Sequence, residues 1–201
     1  MTRPDVLVIG CGALARELSE LKRLNDWSHM RVQCLPAELH NRPEEIPGAV
    51  REEIERWRDG FDYVFVAYAD CGTGGALDKV LDEYGIPRLP GAHCYEFYAG
   101  AAEFASLSDD EPATFYLTDF LARHFDRLVR KGLGLDKNPE LKSDYFGNYR
   151  RLLYLSQSNS PTLEAIARGH AEWLDLDYEF RYTGLTQVHD NIEERVIEWR
   201  S

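Results

Sequence analysis

Residues Tyr63–Gly75 read YVFVAYADCGTGG and combine, in order, the patterns of a strand and of a glycine-rich turn. The segment from Tyr63 to Ala69 is a nearly continuous apolar run, which is typical of a strand buried on both faces. The run ends in DCGTGG, and a helical pattern of apolar residues follows it. A strand, a glycine-rich turn and a helix place Cys71 at the carboxyl end of a strand, where open α/β sheets bind their ligands.

The same alternation of strand and helix runs along the rest of the sequence. Strands are predicted at residues 5–10, 31–35, 63–69, 86–89, 114–117, 152–156 and 178–182. Amphipathic helices are predicted at residues 13–25, 47–59, 95–107, 118–131, 161–174 and 186–200, with a further helix directly after Gly75. Strands that alternate with helices predict an α/β fold with a mainly parallel, Rossmann-like sheet flanked by helices.

The length of 201 residues suits one domain with a sizeable core. We therefore predict a single α/β domain over residues 1–201. Its composition changes at the turn of residues 108–112, so the domain can divide into lobes of residues 1–110 and 111–201.

The charge of the chain argues against several classes of partner. The formal net charge is −12, whereas wide nucleic-acid binding and anionic membrane surfaces call for basic protein surface. No apolar run reaches the roughly 18 residues of a membrane span, and the start of the chain has no signal-peptide pattern. We expect a cytoplasmic protein, whose four cysteines are thiols or metal ligands rather than disulfides.

Three cysteines at predicted strand ends are the main chemical signal. Cys11, Cys71 and Cys94 each follow a strand-like segment and lie in a glycine-rich turn. The carboxyl ends of parallel strands share one edge of a sheet, so the three thiols can converge on zinc or iron, with His93 as a fourth ligand. The alternative is that these small side chains are core residues, as we expect for Cys34 inside the second strand.

Two further elements complete this predicted site. The residues after Cys71 offer free backbone N–H groups that could hold an anion or a carboxylate; they are Gly72, Thr73, Gly74 and Gly75. Glu96 follows Cys94 closely and is a candidate acid or base, or else a first-turn charge favoured by the helix dipole.

The turn after the first strand also fits the dinucleotide fingerprint G-x-G-x-x-G/A. Gly10, Gly12 and Ala15 occupy its fixed positions. The acidic residue expected after the second strand is misplaced, since Glu38 comes late, in a loop. The bulk of Cys11 would also crowd a pyrophosphate. We favour a tight turn that needs small residues, and we predict that NAD(H) and NADP(H) do not bind tightly.

Long stretches of the sequence resemble an uncharacterised bacterial and archaeal family known only as a domain of unknown function. The stretches that carry the resemblance are CGALAREL, YADCGTGG, PGAHCYEFYAG and the segment that begins TFYLTDFLARHFD. The resemblance runs from about Leu7 to Gly184. Genes of this family often lie near those of corrinoid-dependent methyltransferases, so the resemblance implies an association with that pathway and its proteins. It implies no catalytic residue.

The function that we predict from the sequence is metal binding in a cysteine-lined cleft. A zinc ion in such a cleft could activate a small-molecule thiol or a carbonyl, in metabolism related to methyl transfer. Two alternatives stay open: a dinucleotide-dependent enzyme that uses the Gly10–Ala15 turn, and an accessory protein that binds a small molecule without turnover.

Overall fold

The computed structural model describes residues 4–198, and the side chains of residues 4–193. The strands are β1 Val6–Cys11, β2 Met30–Leu35, β3 Tyr63–Ala67, β4 Thr114–Thr118, β5 Arg151–Ser156 and β6 Asp177–Tyr182. The α-helices are α1 Ala15–Leu24, α2 Ile46–Trp57, α3 Ala76–Tyr84, α4 Tyr95–Ala99, α5 Ala101–Asp110, α6 Asp119–Phe125, α7 Lys142–Phe146, α8 Pro161–Leu174 and α9 Thr186–Glu198. All strand pairs are parallel, which confirms the predicted Rossmann-like α/β fold.

The chain forms two compact units. Among the described residues, the first unit contains residues 4–94 together with 188–198, and the second unit contains residues 95–187. The division falls after Cys94, ahead of the turn at residues 108–112 where the composition changes. The expectation of a single domain stays a prediction.

The sheet of the first unit has the order β2-β1-β3. All six residues of β1 are buried, as expected for a central strand covered on both faces. Gly10 lies opposite Cys34 on one side and Ala67 on the other. An added methyl group at Gly10 would lie 2.8 Å from a methyl carbon of Leu18, so glycine allows α1 to pack tightly on the strand.

The predicted fourth strand is reduced to a short pairing at the edge of this sheet. Arg88 forms an isolated parallel bridge with Val66. Val66 N–H donates to the Pro87 carbonyl at 3.0 Å, and Leu89 N–H donates to the Val66 carbonyl at 3.1 Å. Pro87 and Pro90 have no N–H group to extend the ladder. This short segment leads the chain directly to Cys94.

The sheet of the second unit has the order β4-β5-β6. The carboxylate of Asp119, only 2% exposed, joins the ends of β4 and β5. It accepts hydrogen bonds from the Tyr154 hydroxyl at 2.5 Å and from the amides of Gln157 and Ser158 at 3.2 and 3.1 Å. Because several donors satisfy its oxygens, this buried charge holds the sheet edge together.

Two predicted helices are interrupted. The helix predicted at residues 95–107 is divided into α4 and α5 by Gly100, whose φ of 84° and ψ of 143° no helix can accommodate. The helix predicted at residues 118–131 bends at His124 and continues beyond α6 as a π-helix, Asp126–Lys131. Thr118 caps α6, with its hydroxyl accepting from the Leu121 amide at 3.3 Å. No helix within residues 4–198 is both long and apolar enough to cross a membrane.

The last helix returns the chain to the first unit. In α9, Val188 and Ile192 are buried. The His189 ring stacks on Trp27 with a centroid separation of 6.4 Å, and its Nε2 lies 3.3 Å from Oδ1 of Asn25. Residues from the two ends of the chain therefore share the core of the first unit.

Candidate functional site

The carboxyl edge of the first sheet carries the cysteines. Cys11 is the last residue of β1, Cys34 is the next-to-last residue of β2, and Cys71 lies four residues beyond β3. Cys94 follows the short segment that pairs with β3. All four are free thiols; Cys11 and Cys94 are buried, whereas Cys34 and Cys71 are half-buried.

A histidine lies between two of these thiols. His40 belongs to a 3₁₀ turn, Ala37–Asn41, that directly follows β2. Its Nδ1 is 3.9 Å from Cys11 Sγ, and its Nε2 is 3.9 Å from Cys94 Sγ. We refer to Cys11, Cys71, Cys94 and His40 as the cysteine cluster.

Cys71 and Cys94 interact directly. The Cys94 thiol donates to the sulfur of Cys71, and this hydrogen bond is the largest cause of a lowered pKa of Cys71. The same hydrogen bond, together with burial, raises the pKa of Cys94 well above its ordinary value. Of the two thiols, Cys71 therefore loses its proton more readily than Cys94 does.

Cys11 is held in a different environment. Its sulfur accepts a hydrogen bond from the Ala13 amide at 3.4 Å, which caps the turn before α1. Burial raises the pKa of Cys11 to about 11, against a smaller opposing effect of the Ala13 amide. Without a cation beside it, Cys11 is therefore a neutral thiol at physiological pH.

Tyr68 adds a hydroxyl group to this region. Its side chain is 1% exposed, and its hydroxyl makes no hydrogen bond of acceptable geometry to the described residues. Burial is the largest cause of a raised pKa of Tyr68, and the neighbouring Cys11 thiol contributes. A buried hydroxyl without a partner is uncommon in native proteins.

The imidazole of His40 is neutral near physiological pH. As a whole residue His40 is exposed, yet protein atoms crowd its ring, and this desolvation lowers its pKa. The electrostatic effect of the neighbouring His93 side chain acts in the same direction. His93 is an exposed residue that lies close enough to influence His40. A neutral imidazole is the form that binds metals and accepts protons.

The side-chain carboxylate of Asp70 holds the glycine-rich turn together through hydrogen bonds. The Asp70 carboxylate accepts hydrogen bonds from the Gly75 amide at 2.8 Å, the Gly74 amide at 3.1 Å and the Thr73 hydroxyl at 2.7 Å. The Gly75 amide is the largest cause that lowers the pKa of Asp70. An external anion at Gly72–Gly75 would have to compete with this carboxylate.

The turn after β1 is closed by the neighbouring strand. An added methyl group at Gly12 would lie 2.7 Å from the Leu35 carbonyl oxygen and 3.1 Å from the Ala37 amide nitrogen. This close approach of protein backbone explains the need for glycine at position 12. In a dinucleotide site that space serves the pyrophosphate. The geometry agrees with our expectation of a tight turn, and weak NAD binding stays a prediction.

The structure brings together some of the predicted residues. Cys71 and Cys94 touch, and His40 connects Cys94 with Cys11. Glu96 lies in α4, which belongs to the second unit, so its role stays a prediction. Sequence analysis missed His40 and Tyr68. The position of His40 directly after β2 was an available signal, because loops after parallel strands gather at one edge.

The possible ligand atoms of the cysteine cluster do not all lie close to one common point. Among residues 4–193, the group of three possible ligands whose atoms all lie within 4.8 Å of one another is His189, Asp190 and Glu193, a partly exposed group on α9. The atoms of the cysteine cluster are more widely spaced, because the imidazole of His40 lies between two of the sulfurs.

Comparison with known families identifies the chain. A family model described as a protein of unknown function, DUF1638, matches residues 34–192. The chain belongs to the DUF1638 family. The family assignment confirms the resemblance to a domain of unknown function that the motifs indicated.

The DUF1638 match contains most of the cysteine cluster. Cys71, Cys94 and His40 lie inside residues 34–192, and so does Cys34, whereas Cys11 precedes the matched segment. No curated protein and no solved structure shows a significant match to the chain. The chemistry of this DUF1638 protein is therefore argued from its own residues.

Proposed function

We propose that the cysteine cluster binds one metal ion, zinc or iron, through the thiolates of Cys11, Cys71 and Cys94 with a histidine nitrogen beside them. The observation that carries this proposal is the position of the His40 ring, which faces the sulfurs of Cys11 and Cys94 at 3.9 Å each. The third thiol, Cys71, contacts Cys94.

The donor set suits a thiolate-bound metal. Thiolates and imidazoles are preferred ligands of zinc and of iron in proteins. A tetrahedral zinc site places a ligating sulfur and a ligating nitrogen about 3.5 Å apart, given usual bond lengths. The observed separations of 3.9 Å are longer and run to different nitrogens of one ring, so metal binding requires the sulfurs of Cys11 and Cys94 to move toward each other. One ion can bind only one nitrogen of a ring, so the imidazole must turn as the ion enters.

Such a site would serve a small-molecule ligand. Three thiolates leave one position for a histidine, a water molecule or a substrate, and a zinc ion there can activate a substrate thiol or polarise a carbonyl. The Tyr68 hydroxyl is a hydrogen-bond donor beside Cys11. A role in methyl-transfer metabolism rests only on the family resemblance.

The test is the metal content of protein purified anaerobically without chelator. We expect Cys11→Ser, Cys71→Ser and Cys94→Ser each to lose most of the metal, because removing one thiolate leaves the donor set incomplete. Cys34→Ser is the matched control and should keep the wild-type content. Circular dichroism verifies that each variant is folded.

Three outcomes would contradict the proposal. Equal metal in the wild type and in Cys71→Ser would show that this thiol is not a ligand. Loss of metal in Cys34→Ser alone would assign the site to other thiols. Wild-type protein that carries no zinc or iron, and takes up neither when it is added, would rule the metal site out.

A further inference from the structure

Cys71 and Cys94 differ in their access to solvent although they touch. Cys71 is half-buried in the turn after β3, whereas Cys94 is 8% exposed. The Cys94 thiol donates to the Cys71 sulfur. A reagent that arrives from solvent therefore meets Cys71 first, with Cys94 directly behind it.

The backbone holds this contact in place. The amide of Asp70 donates to the Gly91 carbonyl at 3.1 Å, and the amide of Cys71 donates to the Ala92 carbonyl at 2.9 Å. These bonds tie the segment before Cys94 to the segment that carries Cys71. These main-chain hydrogen bonds therefore hold the two cysteines close to each other.

Arg88 fixes the second of these segments. Its guanidinium donates to the Asp78 carboxylate through two nitrogens, at 2.5 and 3.0 Å. The same guanidinium donates to the carbonyls of Leu89 and Gly91 at 2.7 and 3.3 Å. A two-nitrogen contact of arginine with a carboxylate is geometrically specific, so the loop that ends at Cys94 is anchored on α3.

We propose that Cys71 and Cys94 form a thiol–disulfide exchange pair whose substrate is a low-molecular-weight disulfide. Cys71 is the attacking residue because it is the accessible member, and Cys94 is the resolving residue because it lies buried against it. The half-buried position of Cys71 favours a small disulfide over a folded protein as the reactant.

The reaction balances in two exchange steps. The Cys71 thiolate attacks one sulfur of the substrate disulfide; a bond forms between Cys71 and that sulfur, and the other half leaves as a thiolate. The mixed disulfide leaves no thiolate on Cys71 to accept the Cys94 hydrogen bond, so Cys94 releases its proton to a base in solution and attacks the Cys71 sulfur. The second half leaves as a thiolate. The protein is oxidised by two electrons, and the substrate disulfide is reduced to two thiols.

Thiol–disulfide exchange and metal binding would use the same two sulfurs, but not at the same time. A Cys71–Cys94 disulfide removes two of the three thiolates proposed for the metal, so oxidation would release the ion. The exchange itself needs no metal. Failure of one proposal is therefore distinguishable from failure of the other.

The experiment uses reduced, metal-free full-length protein and oxidised glutathione as the probe, with intact-protein mass spectrometry after acid quenching. We expect the wild type to lose two hydrogen atoms and to retain no glutathione. Cys94→Ser should retain one glutathione, located at Cys71 by peptide mapping, because nothing resolves the mixed disulfide. Cys71→Ser should show neither product, and Cys34→Ser should react like the wild type.

Several results would overturn the proposal. Wild-type protein that keeps glutathione on Cys71 would show that Cys94 does not resolve the mixed disulfide. Equal labelling of Cys71→Ser and Cys94→Ser would remove the distinction between attacking and resolving residue. If Cys94→Ser does not fold, Cys94→Ala serves the same purpose, and a failure of the wild type to form the internal disulfide is decisive without either variant.

Discussion

Tyr68 and Tyr154 are fully buried tyrosines with opposite hydrogen-bond situations. The Tyr154 hydroxyl donates to Asp119 at 2.5 Å, whereas the Tyr68 hydroxyl has no partner of good geometry among the described residues. Removing one member of a buried hydrogen bond leaves the other unsatisfied, while removing a hydroxyl that has no partner leaves nothing behind.

We therefore expect opposite effects on stability. Tyr154→Phe should lower the free energy of unfolding by about 1–3 kcal/mol, and Tyr68→Phe should leave it unchanged or raise it by about 1 kcal/mol. Urea unfolding of metal-free protein measures both. A loss of more than about 1 kcal/mol in Tyr68→Phe would mean that Tyr68 donates a hydrogen bond in the folded protein, with Cys11 as the acceptor.

The histidine of the proposed metal site can be assigned by a matched pair of variants. Both histidines are exposed residues, but the ring nitrogens of His40 lie 3.9 Å from two thiols, whereas His93 is adjacent to Cys94 in the chain. We expect His40→Ala to weaken zinc affinity at least about tenfold, as loss of a ligand or of its support does, and His93→Ala to change it little. Competition with a chromophoric chelator measures both affinities. The reverse order would identify His93 as the ligand.

The turn between β3 and α3 depends on one carboxylate. Asp70 binds two amides and one hydroxyl of residues 73–75, and Cys71 and Gly75 both have left-handed φ values, 50° and 80°. A left-handed non-glycine residue is unfavourable unless its surroundings fix it. The Asp70 contacts provide that support, so they position the Cys71 thiol.

This arrangement predicts a dependence of stability on pH. The pKa of Asp70 is lower in the folded protein than in the unfolded chain, chiefly because of the Gly75 amide. Its contribution is therefore present above the unfolded pKa of about 3.9 and is lost as pH falls through the folded value. We expect Asp70→Asn to lower the free energy of unfolding by about 1 kcal/mol at neutral pH, as loss of a helix cap does.

The difference in the free energy of unfolding between Asp70→Asn and the wild type should shrink toward zero as the pH falls to the acid end of the titration. Urea unfolding at neutral pH and at the lowest pH where the protein stays folded measures this. Asp82→Asn, an exposed change in α3, is the control and should have little effect at either pH. A constant difference across pH would mean that the carboxylate charge of Asp70 does not stabilise the turn.

The element types were predictable because they depend on local patterns. The apolar runs of β1 and β3 and the amphipathic helices between them dictate parallel strands, and the caps at Thr118 and Ser160 follow from their short polar side chains. In the helix predicted at residues 95–107, a single residue overrode the pattern. Gly100 breaks an otherwise continuous helical period with a backbone conformation that no periodicity reveals.

The candidate site was predictable only in part, for a physical reason. Cys11, Cys71 and Cys94 follow strands, so topology alone brings them toward one edge. His40 enters through a loop whose path depends on how Leu35 and Ala37 pack on Gly12. The burial of Tyr68 next to Cys11 is likewise a tertiary property. Such contacts are set by packing and leave no pattern in the sequence.

The first unit as a whole depends on the end of the chain. Val188 and Ile192 of α9 are buried, and His189 stacks on Trp27. A chain that ends at Gln187 would lose burial worth roughly 3–6 kcal/mol for two aliphatic side chains, on transfer values. We expect this truncation to destabilise the first unit selectively.

Hydrogen exchange read by mass spectrometry is the measurement. Amides of β1 should lose protection in the truncated chain, whereas those of β5 should keep it. The untruncated chain is the control. Equal loss of protection in both strands would mean that the units do not unfold separately, and unchanged protection of β1 would mean that α9 adds little.

The return of α9 to the first unit also has a consequence for biosynthesis. The strands β1 to β3 leave the ribosome early, but the helix that completes their core is made only after residues 95–187, roughly 5–20 s later at usual rates of synthesis. The strands that bear the thiols are thus translated before residues 95–187, and their core is completed only after those residues are made. Any metal ion or oxidant that reaches the nascent chain in that interval meets those thiols in an unfinished fold.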